Sequence, residues 1–229
     1  MDNTLAVFID GDNTSHKDIG VILNEIKTYG RIIILQVYGD WSMTNMKGWI
    51  EKAKRYGITL IQCERLGGKN SSDIKLCVDI MKILYTVPII SIYYIVTSDS
   101  DYRHVISEIK LLNKQVYCIG DKYTNISLRS ICDQFTKVDV LKKDNSSNKS
   151  YIKLEKKVKL LYQNEIDILL DKYNKINISL VKDVLSRKFQ FDHREWGYNK
   201  MSKFLYENFI NLKYTKDKQG NVNIINVDN

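Results

Sequence analysis

Leu5-Ala6-Val7-Phe8-Ile9-Asp10-Gly11-Asp12-Asn13 is an unbroken apolar run that turns straight into acid. Farther along, Ile92-Tyr93-Tyr94-Ile95-Val96-Thr97-Ser98-Asp99-Ser100-Asp101 does the same. Apolar runs without polar alternation suit strands covered on both faces, as in a parallel sheet. Working outward, further strands are expected at residues 31–38, 58–62 and 115–119, and helices at 17–29, 43–56, 72–85 and 102–112. Strand and helix alternating in this way predict an α/β fold, a doubly wound parallel sheet with helices on both faces.

That order holds to about residue 140. The stretch Leu141-Lys142-Lys143-Asp144-Asn145-Ser146-Ser147-Asn148-Lys149-Ser150 is polar, lacks periodicity and reads as part of a linker over 141–152. Beyond it, helices are expected at 153–173, 179–188 and 197–208. A hairpin of 210–214 and 222–225 follows, giving a second, small, mostly helical domain over 153–229. The net charge of +8 is uneven, with 17 Lys/Arg against 16 Asp/Glu in residues 1–141 but 15 against 10 in 151–229. A basic module beside an acidic one suits an enzyme acting on a polyanion. Cys63, Cys77, Cys118 and Cys132 form no CxxC pair and read as buried reduced thiols. The N-terminus has no signal-peptide pattern and no apolar run would span a bilayer, so a cytoplasmic protein without membrane contact is expected.

In a doubly wound sheet, ligands bind beyond the carboxyl ends of the strands, where the strand order reverses. Here that is where the first strand meets the fourth, so Asp10 and Asp99 are expected side by side. Asp73 opens a helix and shares its face with Cys77, Ile80 and Leu84, which points it inward, whereas Asp79 falls on the water-facing side. Clustered carboxylates repel unless a cation lies between them, and an all-oxygen set favours Mg²⁺ or Mn²⁺ over zinc. Such an ion orients a water and neutralises charge developing on a phosphodiester. His16 and His104 fall near the same end of the sheet, and His193 lies in a polar loop without an expected role.

Five blocks carry a resemblance. They are Val7 to Asn13, Val37-Tyr38-Gly39-Asp40-Trp41, Lys69-Asn70-Ser71-Ser72-Asp73, Thr97 to Tyr102, and Ser127-Leu128 through Cys132-Asp133-Gln134-Phe135. Together, over roughly residues 4–140, they resemble the NYN family of PIN-like ribonucleases. The resemblance implies a three-layer α/β/α fold over 1–140 and a Mg²⁺- or Mn²⁺-dependent site that cuts RNA. It assigns metal and catalytic roles to Asp10, Asp73, Asp99 and Asp101, with Asn13 as a further catalytic residue and Asp12 and Ser98 in support. Lys69 is a candidate RNA contact. Residues 153–229 resemble the winged-helix-like LOTUS or OST-HTH domain through Ile178 to Val181, Trp196 to Met201 with Phe204-Leu205, and the terminal hairpin. That likeness implies binding of RNA or of a protein partner. Lys182, Arg187, Lys188, Arg194 and Lys200 are candidates to track phosphates, with Trp196 or Tyr198 to stack on a base.

Two other readings compete. An RNA-binding adaptor would keep the metal site as structure only. Asp10-Gly11-Asp12-Asn13-Thr14 and Ile119-Gly120-Asp121 also resemble haloacid-dehalogenase phosphatases, with Asp10 as nucleophile.

Overall fold

The computed structural model describes residues 3–64, 70–143 and 151–225, and the chain divides into two units, Met1–Lys143 and Asp144–Asn229. In the first, six strands form one sheet: β1 (Thr4–Asp10), β2 (Arg31–Gly39), β3 (Thr59–Gln62), β4 (Ile92–Val96), β5 (Gln115–Gly120) and β6 (Gln134–Lys137). Every pairing is parallel and the order is β3-β2-β1-β4-β5-β6, so the direction of winding reverses between β1 and β4. This is the expected PIN-like α/β arrangement.

Side-chain alternation along β1 sorts the core. Leu5, Val7 and Ile9 pack with Ile19, Ile22 and Trp49 from helices α1 (Ile19–Ile26) and α2 (Lys47–Tyr56). Ala6 and Phe8 pack on the other face with Leu76 and Ile80 of α3 (Ser71–Thr86) and Ile106 of α4 (Arg103–Leu111). Asp10 has the parity of Phe8. It therefore leaves the sheet on the side where α3 begins, two layers being fixed by a two-residue repeat.

In this first unit three elements escaped the sequence reading: α5 (Ile126–Ile131), β6, and α6 (Val138–Lys143). They are short, and Gln134-Phe135-Thr136-Lys137 carries a single large apolar residue, so neither period is visible. Helix α6 also takes in 141–143, with Leu141 buried in the core, so the start of the expected linker is helix and 144–150 lie outside the described residues. Asp79 corrects another expectation. It accepts from the Tyr38 hydroxyl at 3.1 Å and pairs with Lys75 at 2.5 Å, while Ile74 and Val78 face water. The buried stripe of α3 is Ser72, Leu76, Ile80 and Leu84. Cys63, Cys118 and Cys132 are buried and Cys77 half-buried, all as free thiols.

The second unit runs α7 (Lys156–Tyr173), β7 (Lys175–Asn177), α8 (Ile178–Phe189), α9 (Met201–Asn208), β8 (Lys213–Lys216) and β9 (Val222–Ile225). Its antiparallel sheet has the order β7-β9-β8, which with three helices is a winged-helix arrangement. Ile166, Val181, Leu185, Phe204 and Ile224 are fully buried at its centre. The last helix begins at Met201 rather than 197, because residues 193–196 form a 3₁₀ turn closed by Gly197 in the left-handed region at φ 87°. Among the described residues, no helix is long and apolar enough to cross a membrane.

Candidate active site

Asp10 ends β1 and is 1 % exposed. A buried carboxylate needs donors, and it has three: Asn13 Nδ2 at 2.6 Å, the Asn13 amide at 3.2 Å, and the Thr97 hydroxyl at 2.9 Å. The chain can turn back toward Asn13 because residue 11 is glycine. A Cβ there would lie 2.6 Å from the Tyr38 carbonyl oxygen, which accepts the Gly11 amide at 2.9 Å. Thr97, directly after β4, links two acids. Its hydroxyl donates to Asp10 and accepts the Asp99 amide at 3.1 Å. Parallel pairing of Ile9 with Val96 sets this juxtaposition.

Asp73 lies in the first turn of α3 and accepts from the Tyr102 hydroxyl at 2.7 Å. Asp99 is half-buried and caps a 3₁₀ turn, its Oδ1 accepting the Asp101 amide at 2.9 Å. The Asp101 side chain is exposed, so its backbone does the positioning. Asp12 is also exposed and accepts from the buried Ser72 hydroxyl at 2.8 Å. Ser98 faces away from the acids: its hydroxyl accepts the Asp121 amide at 2.9 Å and ties β4 to the loop after β5. Thr97, Tyr102 and Ser72 were missed by sequence reasoning. Only Thr97 leaves a sequence signal, as the first polar residue after an apolar strand.

Electrostatics bind these acids into one group. Burial pushes the Asp10 carboxyl above its ordinary range; Asn13 and Thr97 pull it back, and the charge of Asp73 adds to the rise. Burial likewise raises Asp73, Tyr102 opposes, and Asp99, Asp12 and Asp101 each push it further. Among the described residues no Lys or Arg forms an ion pair with Asp10, Asp73, Asp99 or Asp101. Nor do three His, Cys, Asp or Glu side chains stand together as a metal-binding group among them. Asp10, Asp12, Asp73 and Asp99 are each drawn to a protein donor instead. The donor chemistry still fits a hard divalent cation, since it is all oxygen, net negative and mutually repelling.

The other candidates divide. Lys69 lies outside the described residues. His16 sits edge-on to Trp49 at 6.4 Å, and His104 is exposed on α4. Asp10 is poorly placed as an attacking phosphatase nucleophile, with both oxygens engaged and almost no exposed surface.

In the second unit, Tyr198 is buried between Phe204 and Tyr151, with Asn208 Nδ2 donating to its hydroxyl at 3.2 Å, so it cannot stack on a base. Trp196 is half-buried against the same core. Arg194 is 12 % exposed and grips Asp192 through Nη2 at 2.8 Å and Nε at 3.0 Å, and Lys188 pairs with Glu165 at 2.7 Å. Both cations are thus paired with acids of their own unit. Lys182 is half-buried, while Arg187 and Lys200 are exposed. His193 is buried rather than in a polar loop, and burial pushes it down to about 4, which keeps it neutral.

No curated protein matches the chain. The solved structure of a protein of unknown function from Vibrio parahaemolyticus shares the fold, with a TM-score of 0.52 at 16 % identity, covering 60 % of this chain and 94 % of that one. The family model described as the NYN domain matches residues 4–141, the span that holds the sheet and all five acids. With six parallel strands wound about β1 and β4, and with that match, the chain belongs to the NYN domain family of PIN-like nucleases.

Proposed function

We propose that the protein is a Mg²⁺- or Mn²⁺-dependent ribonuclease that cuts RNA internally. The observation that carries this reading is the one-hydroxyl link through Thr97 between Asp10 and Asp99, with the Asp73 charge acting on Asp10. Acids from β1, α3 and the β4 end lie near enough for their charges to oppose one another, and among the described residues no Lys or Arg pairs with Asp10, Asp73 or Asp99, a costly arrangement that a bound divalent ion relieves. Asp10, Asp73 and Asp99 would hold the ion, with Asp101 assisting. When bound, it lowers the pKa of a water and offsets charge on the scissile phosphodiester. Asn13 and Thr97 fix the rotamer of Asp10, and Tyr102 that of Asp73, so little reorganisation is left for the reaction. The second unit, LOTUS- or OST-HTH-like in its winged-helix order, binds RNA or a protein partner. Exposed Arg187 and Lys200 support RNA, together with Lys182.

The test uses end-labelled single-stranded and hairpin RNA in Mg²⁺, Mn²⁺ or EDTA, with Asp99→Asn alongside. Internal cuts in metal, absent in EDTA and in the variant, are expected. Binding without cleavage in either metal would replace the nuclease with an RNA-binding adaptor.

A further inference from the structure

A cavity of about 210 Å³ opens beside the acids, on the opposite side of the β1–β4 junction from α3. Asn13 and Thr97, which hold Asp10, form part of its wall. Its floor is apolar, made by Ile22, Val96, Ile119 and Val138. This is below the roughly 300–1,000 Å³ of pockets for drug-sized ligands, and it leaves room for one flat ring system.

Most polar groups around it are already satisfied. Asp18 pairs with Lys142 at 2.8 Å, the Thr14 hydroxyl donates to the Val96 carbonyl at 3.3 Å, and Asp121 accepts the Tyr123 amide at 2.7 Å. Asp139, half-buried in the first turn of α6, is different. It lines the cavity and forms no hydrogen bond or ion pair among the described residues. A carboxylate offers two acceptors and no donor.

We propose that this cavity is a nucleobase subsite that selects guanine next to the scissile phosphate, with Asp139 as the specificity-determining residue. The proposal rests on the ribonuclease reading. Guanine alone among the RNA bases presents two adjacent N–H donors on its Watson–Crick edge, which match both oxygens of one carboxylate. Adenine and cytosine place a ring acceptor beside their amino group and meet repulsion, and uracil flanks its single N–H with carbonyls. The apolar floor takes the ring face. A platform for the neighbouring base lies on the loop after β5: Tyr123 is 81 % exposed, and Lys122 Nζ lies 4.9 Å from its ring centre. The Asp121 amide fixes that loop to Ser98.

Metal-free protein titrated with GMP, IMP, AMP and CMP, followed by protein NMR, tests the subsite without cleavage. GMP is expected to bind about tenfold tighter than IMP, which lacks the second donor, and tighter still than AMP and CMP. Asp139→Asn is expected to abolish that preference. Equal binding of all four, a preference that survives in Asp139→Asn, or no GMP binding up to about 10 mM would overturn the proposal. RNA cleavage without a guanine preference sinks the subsite alone. GMP selectivity without any cleavage sinks the nuclease and leaves the subsite standing.

Discussion

The two units treat charge in opposite ways. In the second, buried charges are neutralised within the fold: Asp192 is gripped by Arg194, and Glu165 by Lys188. Burial alone would raise Asp192, yet Arg194 outweighs it and holds the carboxyl below its ordinary range. In the first, Asp10 and Asp73 are raised by burial and by neighbouring acids, with neutral Asn13, Thr97 and Tyr102 as their donors. A fold that satisfies its charges so well at one site and leaves them opposed at another makes the second kind a candidate ligand site.

The sharpest way to break this contrast is Asp99→Asn. It should lower RNA cleavage by at least about 100-fold while leaving circular dichroism and RNA affinity unchanged. Retained cleavage would remove the distinction between the units. In the second unit, Asp192→Ala strands a nearly buried guanidinium and should cost about 3 kcal/mol, read by urea denaturation. A loss as small as that of an exposed ion pair would show that the charge was not paid for by pairing.

The contrast also has a pH sign. Asp10 and Asp73 hold protons more tightly folded than unfolded, so the native state binds more protons above the unfolded value of about 4. Without metal, their contribution to stability therefore falls as pH rises through the folded pKa. For Asp192, depressed in the fold, stability is present above the unfolded value and lost as pH falls through the folded one. Melting of Asp10→Asn against pH should show the first slope reduced and the second kept, and an unchanged profile would contradict the opposed-charge account. Tyr102→Phe removes one donor to Asp73 and should cost about 1 kcal/mol, with a higher metal concentration needed for half-maximal cleavage. The smallest effect expected is from Arg187→Ala and Lys200→Ala. Each should lower the salt slope of RNA binding by about 1, and an unaltered slope would assign the second unit to a protein partner.

Much of this was legible in the chain because long apolar runs announce themselves. The runs 5–9 and 92–96 gave away the two central strands, and their acidic ends gave away where the candidate acids Asp10 and Asp99 lie. Asp79 was misread because helix periodicity reports a face and not what the next layer offers; Tyr38 reaches across and holds it. Tyr198 was open to two readings because an aromatic among lysines looks the same whether it serves a ligand or a core. The donors Tyr102 and Thr97 act over 29 and 87 positions, and such distances leave no local pattern.

The strand order has a consequence for how the protein comes into being. Asp10 and Asp99 meet only once β4 has inserted against β1, a contact between residues that synthesis separates widely. Contacts of that sequence separation form late, after the local helices. A growing chain that ends before Ile92 carries Asp10 and Asp73 but has no Thr97 to join them to Asp99. Half-made molecules thus lack the link between the two acids, which forms only once β4 is in place.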